Sequence, residues 1–532
     1  MRWTRLAPVF LLAGSLVLSG CPSASPPHPG EESDGGHEPP DASSEAWDGG
    51  YEALEEVGNY TEPDPGPLST CTFIPGGGRK CSTGHFDLSA CDKDSLAKAG
   101  AQGEYMLFLR SDSSTPSAAS LFFPSAGGAP VLNSRNATET RDGNVRTFSN
   151  LWKSASGAHT FLDSYVTCQS PRPPEFTGCN IYCIDDRYTS YSTFRSMRLG
   201  WPAGESESSG LELVSEQAVT IGEPVDVYVT QGHAYVVSVI NTNRGKTGGL
   251  TVFNVKNPST PIKVKTIQLE NDNYWNAVWA RDNALYVASS KQGVLVFDIS
   301  DPANPRLQRN VPGSNVNSHT LFVDGNRLYT ATDQGVILFD ITQPTLPIQL
   351  NRYEAPSGSP HDMFARGDRL YVNDSFEGYQ VVDVSNPNHL MVLGDFDYPE
   401  QYSHASAVGT FAGRTIAFMG GEGPGEHLRV LDVTDPAHIV KIGQFKMRYE
   451  VSIHNMLLVG HKLYIAWYQE GVRVLDVSNP TRPTQVAYYN TFRETDPDRG
   501  DYFDGAIGIR IPGDGFIYVV DIARGLLILR EK

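Results

Sequence analysis

The sequence predicts an all-β protein: a seven-bladed β-propeller preceded by a small, disulfide-stapled, β-rich domain. Three observations predict it. A ten-residue cassette recurs six times in the last 60% of the chain, at spacings of 44, 42, 43, 49 and 44 residues. A strand–turn–strand pattern precedes each cassette. Six cysteines past Cys21 fall between Cys71 and Cys183, in a chain that begins like an exported one.

Residues 1–20, "MRWTRLAPVFLLAGSLVLSG", have a basic start at Arg2 and Arg5 and an apolar run from Leu6 to Leu18. That run has the length of a signal-peptide core and falls short of the roughly 20 residues a membrane helix needs. "LSGC" at Leu18–Cys21 resembles the bacterial lipobox, which implies that Cys21 is lipidated and becomes the mature N-terminus. Pro22 and Ser23 follow, and no Asp stands where inner-membrane retention would need one. The chain is therefore expected to be exported and anchored by lipid to the outer membrane, facing the cell surface or the periplasm.

Residues 21–66 are expected to form an acidic, disordered tether. Twelve Asp or Glu and no Lys or Arg occupy residues 22–66. Such a stretch buries too little apolar surface to offset the entropy of ordering it. The whole chain carries a formal net charge of −19, which excludes a basic nucleic-acid footprint.

Residues 67–200 hold Cys71, Cys81, Cys91, Cys168, Cys179 and Cys183, with strand-like runs such as "GEYMLFLRS" and "AASLFFPS". An even count in an exported chain predicts three disulfides, with fifteen pairings open. A zinc site is the weaker reading, since only "CNIYC" has metal-like spacing.

From about residue 205 to 532 the repeat decides the fold. The cassettes are "GLTVFNVKNP", "GVLVFDISDP", "GVILFDITQP", "GYQVVDVSNP", "HLRVLDVTDP" and "GVRVLDVSNP". Each holds an acid or amide (Asn254, Asp298, Asp340, Asp383, Asp432, Asp476) with a proline four residues later. Alternating apolar residues make a strand buried on both faces. The carboxylate can accept from the N–H groups just ahead, and proline, lacking a donor, ends the strand. With a hairpin before it and a short run after it, each unit supplies four strands in about 43 residues, the size of a propeller blade. The seventh unit, "GAIGIRIPGDGFIYVVD" then "GLLILREK", lacks its fourth strand, and "LELVSEQAVTI" at 211–221 is expected to supply it and close the ring. The cassettes resemble the LVIVD-repeat family of exported bacterial and archaeal proteins, regarded as β-propellers. That resemblance implies a surface or periplasmic location and no particular activity.

Aligned on the hairpin Leu–Tyr pair, His319, His361 and His454 each stand ten residues before the tyrosine. Asn276 has the same offset, and Asp226, His404 and Asp504 are the expected counterparts in the remaining blades. All seven are expected where the innermost strand begins, around the channel mouth. Neutral imidazole binds transition metals, so His319, His361, His404 and His454 are candidate ligands and a divalent metal is the candidate cofactor. The structural alternative is that each imidazole bonds the backbone of the next blade. "DPDRGDYFD" at 496–504 faintly resembles a calcium loop, and Tyr274, Trp275, Tyr402, Trp467 and Tyr468 are expected near the mouth.

No Gly-x-Ser-x-Gly elbow, His-Glu-x-x-His or phosphate-binding loop is present. The expected function is a non-enzymatic surface lipoprotein, a rigid scaffold for a protein or glycan partner. The alternative is a metal-binding protein or a propeller enzyme using the histidine ring.

Overall fold

The computed structural model describes residues 47–59, 67–111, 117–125, 127–154, 156–399 and 401–532. The signal segment, Cys21 and the acidic stretch up to residue 46 and over 60–66 lie outside the described residues. Among the described residues, no helix is long and apolar enough to cross a membrane. The chain divides into two compact units.

In the first unit, up to Arg198, nine antiparallel strands form one sheet. At its centre, Gly103–Ser111 pairs with Arg187–Arg198, which pairs with Thr177–Ile184, itself paired with Thr160–Gln169. One face buries Tyr105, Leu107, Leu121, Phe148, Tyr165 and Phe194. Three disulfides form, Cys71–Cys179, Cys81–Cys183 and Cys91–Cys168. They staple a largely irregular first third, with the short strand pair Thr72–Ile74 and His85–Asp87 and two single 3-10 turns, onto two long strands of the sheet. That segment has little apolar surface of its own, and covalent closure of long loops supplies what its core does not.

The second unit is a seven-bladed propeller of four-stranded antiparallel sheets. The inner strands are Glu223–Thr230, Trp275–Arg281, Ser318–Asp324, Asp362–Arg366, Ser403–Phe411, Met456–Val459 and Ala506–Arg510. Each cassette is the third strand of its blade, and its acid accepts from the residue two ahead, as Asp298 does from Ser300 N at 2.8 Å. Asn254 makes the same turn with Lys256 N at 3.1 Å. Leu211–Gln217 pairs antiparallel with the C-terminal Gly525–Glu531 and closes the ring as the seventh blade's outer strand. Just before it, Ser208–Ser209 adds a fifth strand to blade six.

The expectation of a wholly solvated tether does not hold for residues 47–59, which lie against blade five. Leu54 N donates to Lys441 O at 2.8 Å, and the Tyr51 ring lies 5.0 Å from the Arg414 guanidinium. Glu56 pairs with the buried cations Arg429 (3.2 Å) and Lys441 (2.8 Å). Two cations taken out of water need counter-charges, and Glu56 of the strap supplies one beside Glu426.

Candidate histidine centre

Every inner strand carries one residue three positions before the partner of the second-strand aromatic. Those partners are Tyr228, Trp279, Phe322, Phe364, Ala407, Leu457 and Arg510. The register thus assigns Val225, Asn276, His319, His361, His404, His454 and Ile507 to equivalent places. In blades three and five the pairing slips by one residue at this point, between Ser318 and Thr320 and between Ser403 and Ala405. A bulge re-aims the extra side chain, here His319 and His404.

Two expected members do not belong. Asp226 sits one residue past Val225, and its carboxylate accepts from Val227 N (2.7 Å) and Val278 N (2.9 Å). Asp504 precedes Ile507 by three residues and accepts from Gly500 N and Asp501 N. In blade seven the longer hairpin turn through Gly513 and Gly515 displaces the tyrosine offset. The ring is therefore polar over blades two to six and apolar at blades one and seven.

The four imidazoles form a continuous arc. Ring centroids are 4.4 Å apart for His319–His361, 4.3 Å for His361–His404 and 4.5 Å for His404–His454. His319 Nε2 and His361 Nε2 are 3.2 Å apart, one donating to the other. His454 Nδ1 donates to Ile507 O at 2.7 Å, leaving its Nε2 as the lone-pair nitrogen. Asn276 Nδ2 donates to His319 O at 3.0 Å. Asn276 and His454 thus bond the backbone of the next blade, as the structural alternative expects. His404 does not: it is fully buried, and neither ring nitrogen has a hydrogen-bond partner.

Sequence reasoning missed Glu422. It lies in the loop after the second strand of blade five, where Glu422 N donates to Tyr402 O, and the same backbone bond puts Ser290, Asp333 and Ile522 there in blades two, three and seven. Acids recur at that place in blades three and five, the one signal the repeat offered. The Glu422 carboxylate accepts from the Tyr468 hydroxyl at 2.5 Å. Its Oε1 stands 3.9 Å from His454 Nε2 and 4.0 Å from His404 Nε2.

Burial controls the protonation of the arc. It pushes His319 down to about 4 and His454 down to about 3. His361 and His404 are held well below the usual imidazole range by burial and by neighbouring imidazoles. All four are neutral at physiological pH, with lone pairs available to a ligand.

One level deeper, the rings of Tyr228, Trp279, Phe322 and Phe364 follow one another around the axis at 4.8 to 5.5 Å. The Arg510 guanidinium lies 4.4 Å from Tyr228 and 4.5 Å from Trp279. This buried layer packs the channel below the histidines. At the mouth, Tyr402 stands over His361 at 5.6 Å, and Phe376, 69% exposed, stands over Tyr402 at 4.8 Å. Of the other expected rim aromatics, Trp275 and Trp467 are fully buried packing residues, Tyr468 supports Glu422, and Tyr274 is half-buried. The acids of the 496–504 loop face cations: Asp498 pairs with Lys246 at 2.6 Å, and Asp496 and Asp504 face the buried Arg499.

A family model for the LVIVD repeat matches residues 274–312, 357–397 and 455–491, which are blades two, four and six. No curated protein matches the chain. Among solved structures, the chain is similar to the WD40 β-propeller domain of Doa1 (12% identity, TM-score 0.45, 61% of this chain and 98% of that one). It is similar also to a streptogramin B lyase (9%, TM-score 0.45, 60% and 97%). A third is a catalytically inactive virginiamycin B lyase from Staphylococcus aureus with quinupristin (9%, TM-score 0.46, 61% and 100%). Three of the seven blades thus carry the LVIVD repeat, within a closed seven-bladed β-propeller.

Proposed function

We propose that this protein is an exported, lipid-anchored binding protein that uses its propeller as a rigid scaffold and the mouth of its axial channel as its ligand site. The observation that carries the reading is the one-sided mouth. Four neutral imidazoles and Glu422 converge from blades three to six, next to a buried aromatic layer contributed by blades one to four. A few convergent polar groups among aromatic and apolar side chains are the usual make-up of a small-ligand site. Three disulfides in the preceding unit and the lipobox-like "LSGC" support export and anchoring through Cys21. A protein or glycan partner would meet the rim at Phe376 and Tyr402.

The test is a thermal-shift screen of the full chain against glycans, small metabolites and metal salts, repeated on His404→Val. A ligand that raises the melting temperature of the parent and leaves the variant unmoved supports the axial site. Hits that are indifferent to position 404 contradict it. In the native host, labelling with a palmitate analogue should be lost in Cys21→Ser, and retained label would contradict the anchor.

A further inference from the structure

We propose that the axial pocket is a metal site in which His361, His404, His454 and Glu422 hold one divalent first-row transition ion. This rests on the reading of the axial pocket as the ligand site and names the ligand.

The strongest reason is His404. Its residue surface is 0% exposed, and its two ring nitrogens have no hydrogen-bond partner. Leaving a buried polar group unmet destabilises the fold. The fold does not require the expense, because Val225 and Ile507 occupy the equivalent place in blades one and seven. His319 and His454 have protein partners; His404 is the member whose presence the protein alone does not explain.

The neighbours of His404 are arranged as ligands are. Candidate donor atoms of His361, His404 and Glu422 lie within 4.8 Å of one another. His454 brings a fourth, its Nε2 at 3.9 Å from Glu422 Oε1. Around a tetrahedral zinc with bonds of about 2.0–2.1 Å, ligand atoms stand roughly 3.4 Å apart. His361, His404 and Glu422 form the compact part of the set, and His454, which reaches Glu422 alone at that range, would close on the ion from the next blade. Outer partners already fix the inner groups. Ile507 O holds the His454 tautomer with Nε2 turned inward, and the Tyr468 hydroxyl holds the Glu422 carboxylate. Metal-binding histidines usually donate their other nitrogen in this way. His319, partly exposed, adds a positioning contact to His361.

The donor set also names the ion class. Three neutral imidazoles and one carboxylate carry a net −1, which attracts a dication into a dry site. Imidazole nitrogen suits zinc, copper, nickel and iron, whereas magnesium and calcium need oxygen ligands. Among the described residues, the other cluster of candidate ligands, Cys71, Cys91 and Cys168, offers no rival, because each sulfur is tied in a disulfide.

The experiment titrates Zn²⁺ into the chelator-treated, tag-free chain, following heat and metal content in parallel. It is repeated on His404→Val, on Glu422→Gln and on His438→Ala, an exposed histidine paired with Asp435. The proposal expects one zinc per chain, an affinity loss of about 100-fold or more in the first two variants, and no change in the third. It expects Mg²⁺ and Ca²⁺ not to compete. Apo-state melting of each variant identifies any that fail to fold; Glu422→Gln, in a loop, keeps the test alive if His404→Val does. Stoichiometric zinc that survives both His404→Val and Glu422→Gln overturns the site. No zinc uptake, with an organic ligand whose thermal shift His404→Val abolishes, overturns the metal and leaves the pocket reading standing. No zinc uptake and no such ligand overturns both.

Discussion

Asp340 takes two hydrogen bonds from Thr342, one from the backbone N–H at 2.7 Å and one from the hydroxyl at 2.6 Å. These bonds hold its carboxyl below the usual range, as they do at Asp298, where Ser300 is the donor. The acid is thus a turn builder, legible from its place two residues before Ser or Thr. Asp340→Ala should lower stability by about 1 kcal/mol in denaturant unfolding. Asp340→Asn should cost less, because Asn254 already makes the turn in blade one. Equal losses in the two variants would show that charge, and not the accepted bond, holds the turn. Other residue roles were not legible because their partners lie a whole blade away. Tyr235 donates to Pro302 O and Tyr286 to Pro344 O, so the hairpin tyrosine and the cassette proline lock adjacent blades. Glu422 was hidden for the same reason, since its meaning depends on His404 and His454 from other segments.

At the scale of elements, the closing strand and the strap each join distant parts of the chain. Leu211–Gln217 covers Leu526, Leu527, Ile528 and Leu529, and its flanks are fixed by Glu216–Arg524 (2.6 Å) and by Glu212–Arg530. Deleting residues 211–217 should leave an open apolar edge and drive association. Light scattering checks this, and a monomeric deletion variant with the parent's melting temperature would contradict the closure. The closing strand was readable because blade seven was visibly one strand short. The strap was not, because its acidic composition resembles a solvated segment and its buried partners Arg429 and Lys441 are nearly 400 residues away. Desolvation raises the Glu56 carboxyl, but those two cations outweigh it and hold its value below the ordinary one. A depressed acid stabilises the docked state fully above its unfolded value and loses that contribution as pH falls through the lower, docked value. Docking should therefore be complete at pH 7 and persist to more acidic pH than an unpaired Glu would allow. At pH 7, Glu56→Gln should speed limited proteolysis within residues 47–59 about tenfold or more; unchanged cleavage would contradict the clamp.

At the scale of the whole molecule, a sevenfold repeat is asymmetric at its axis. The period of the cassettes, the strand count and the missing strand made the propeller legible, as the six cysteines did the stapled unit. The pairing of those cysteines was not, since spacing leaves fifteen possibilities and only the fold brings Cys71 to Cys179, Cys81 to Cys183 and Cys91 to Cys168. The histidine arc was legible as a recurring offset. Its limits were not, because a bulge or a longer turn shifts the register by a residue or more and exchanges Asp226 for Val225 and Asp504 for Ile507. The resulting ring places polar groups over five consecutive blades, from Asn276 to His454, and apolar residues at blades one and seven, which gives the channel mouth a direction. The most direct test of that central claim is anomalous diffraction at the zinc edge from crystals of the full chain grown with Zn²⁺. A single strong peak about 2.0–2.1 Å from His404 Nε2 and shared with Glu422 is the predicted result. A map with no peak in the channel, or with zinc only at exposed histidines such as His438, would contradict it.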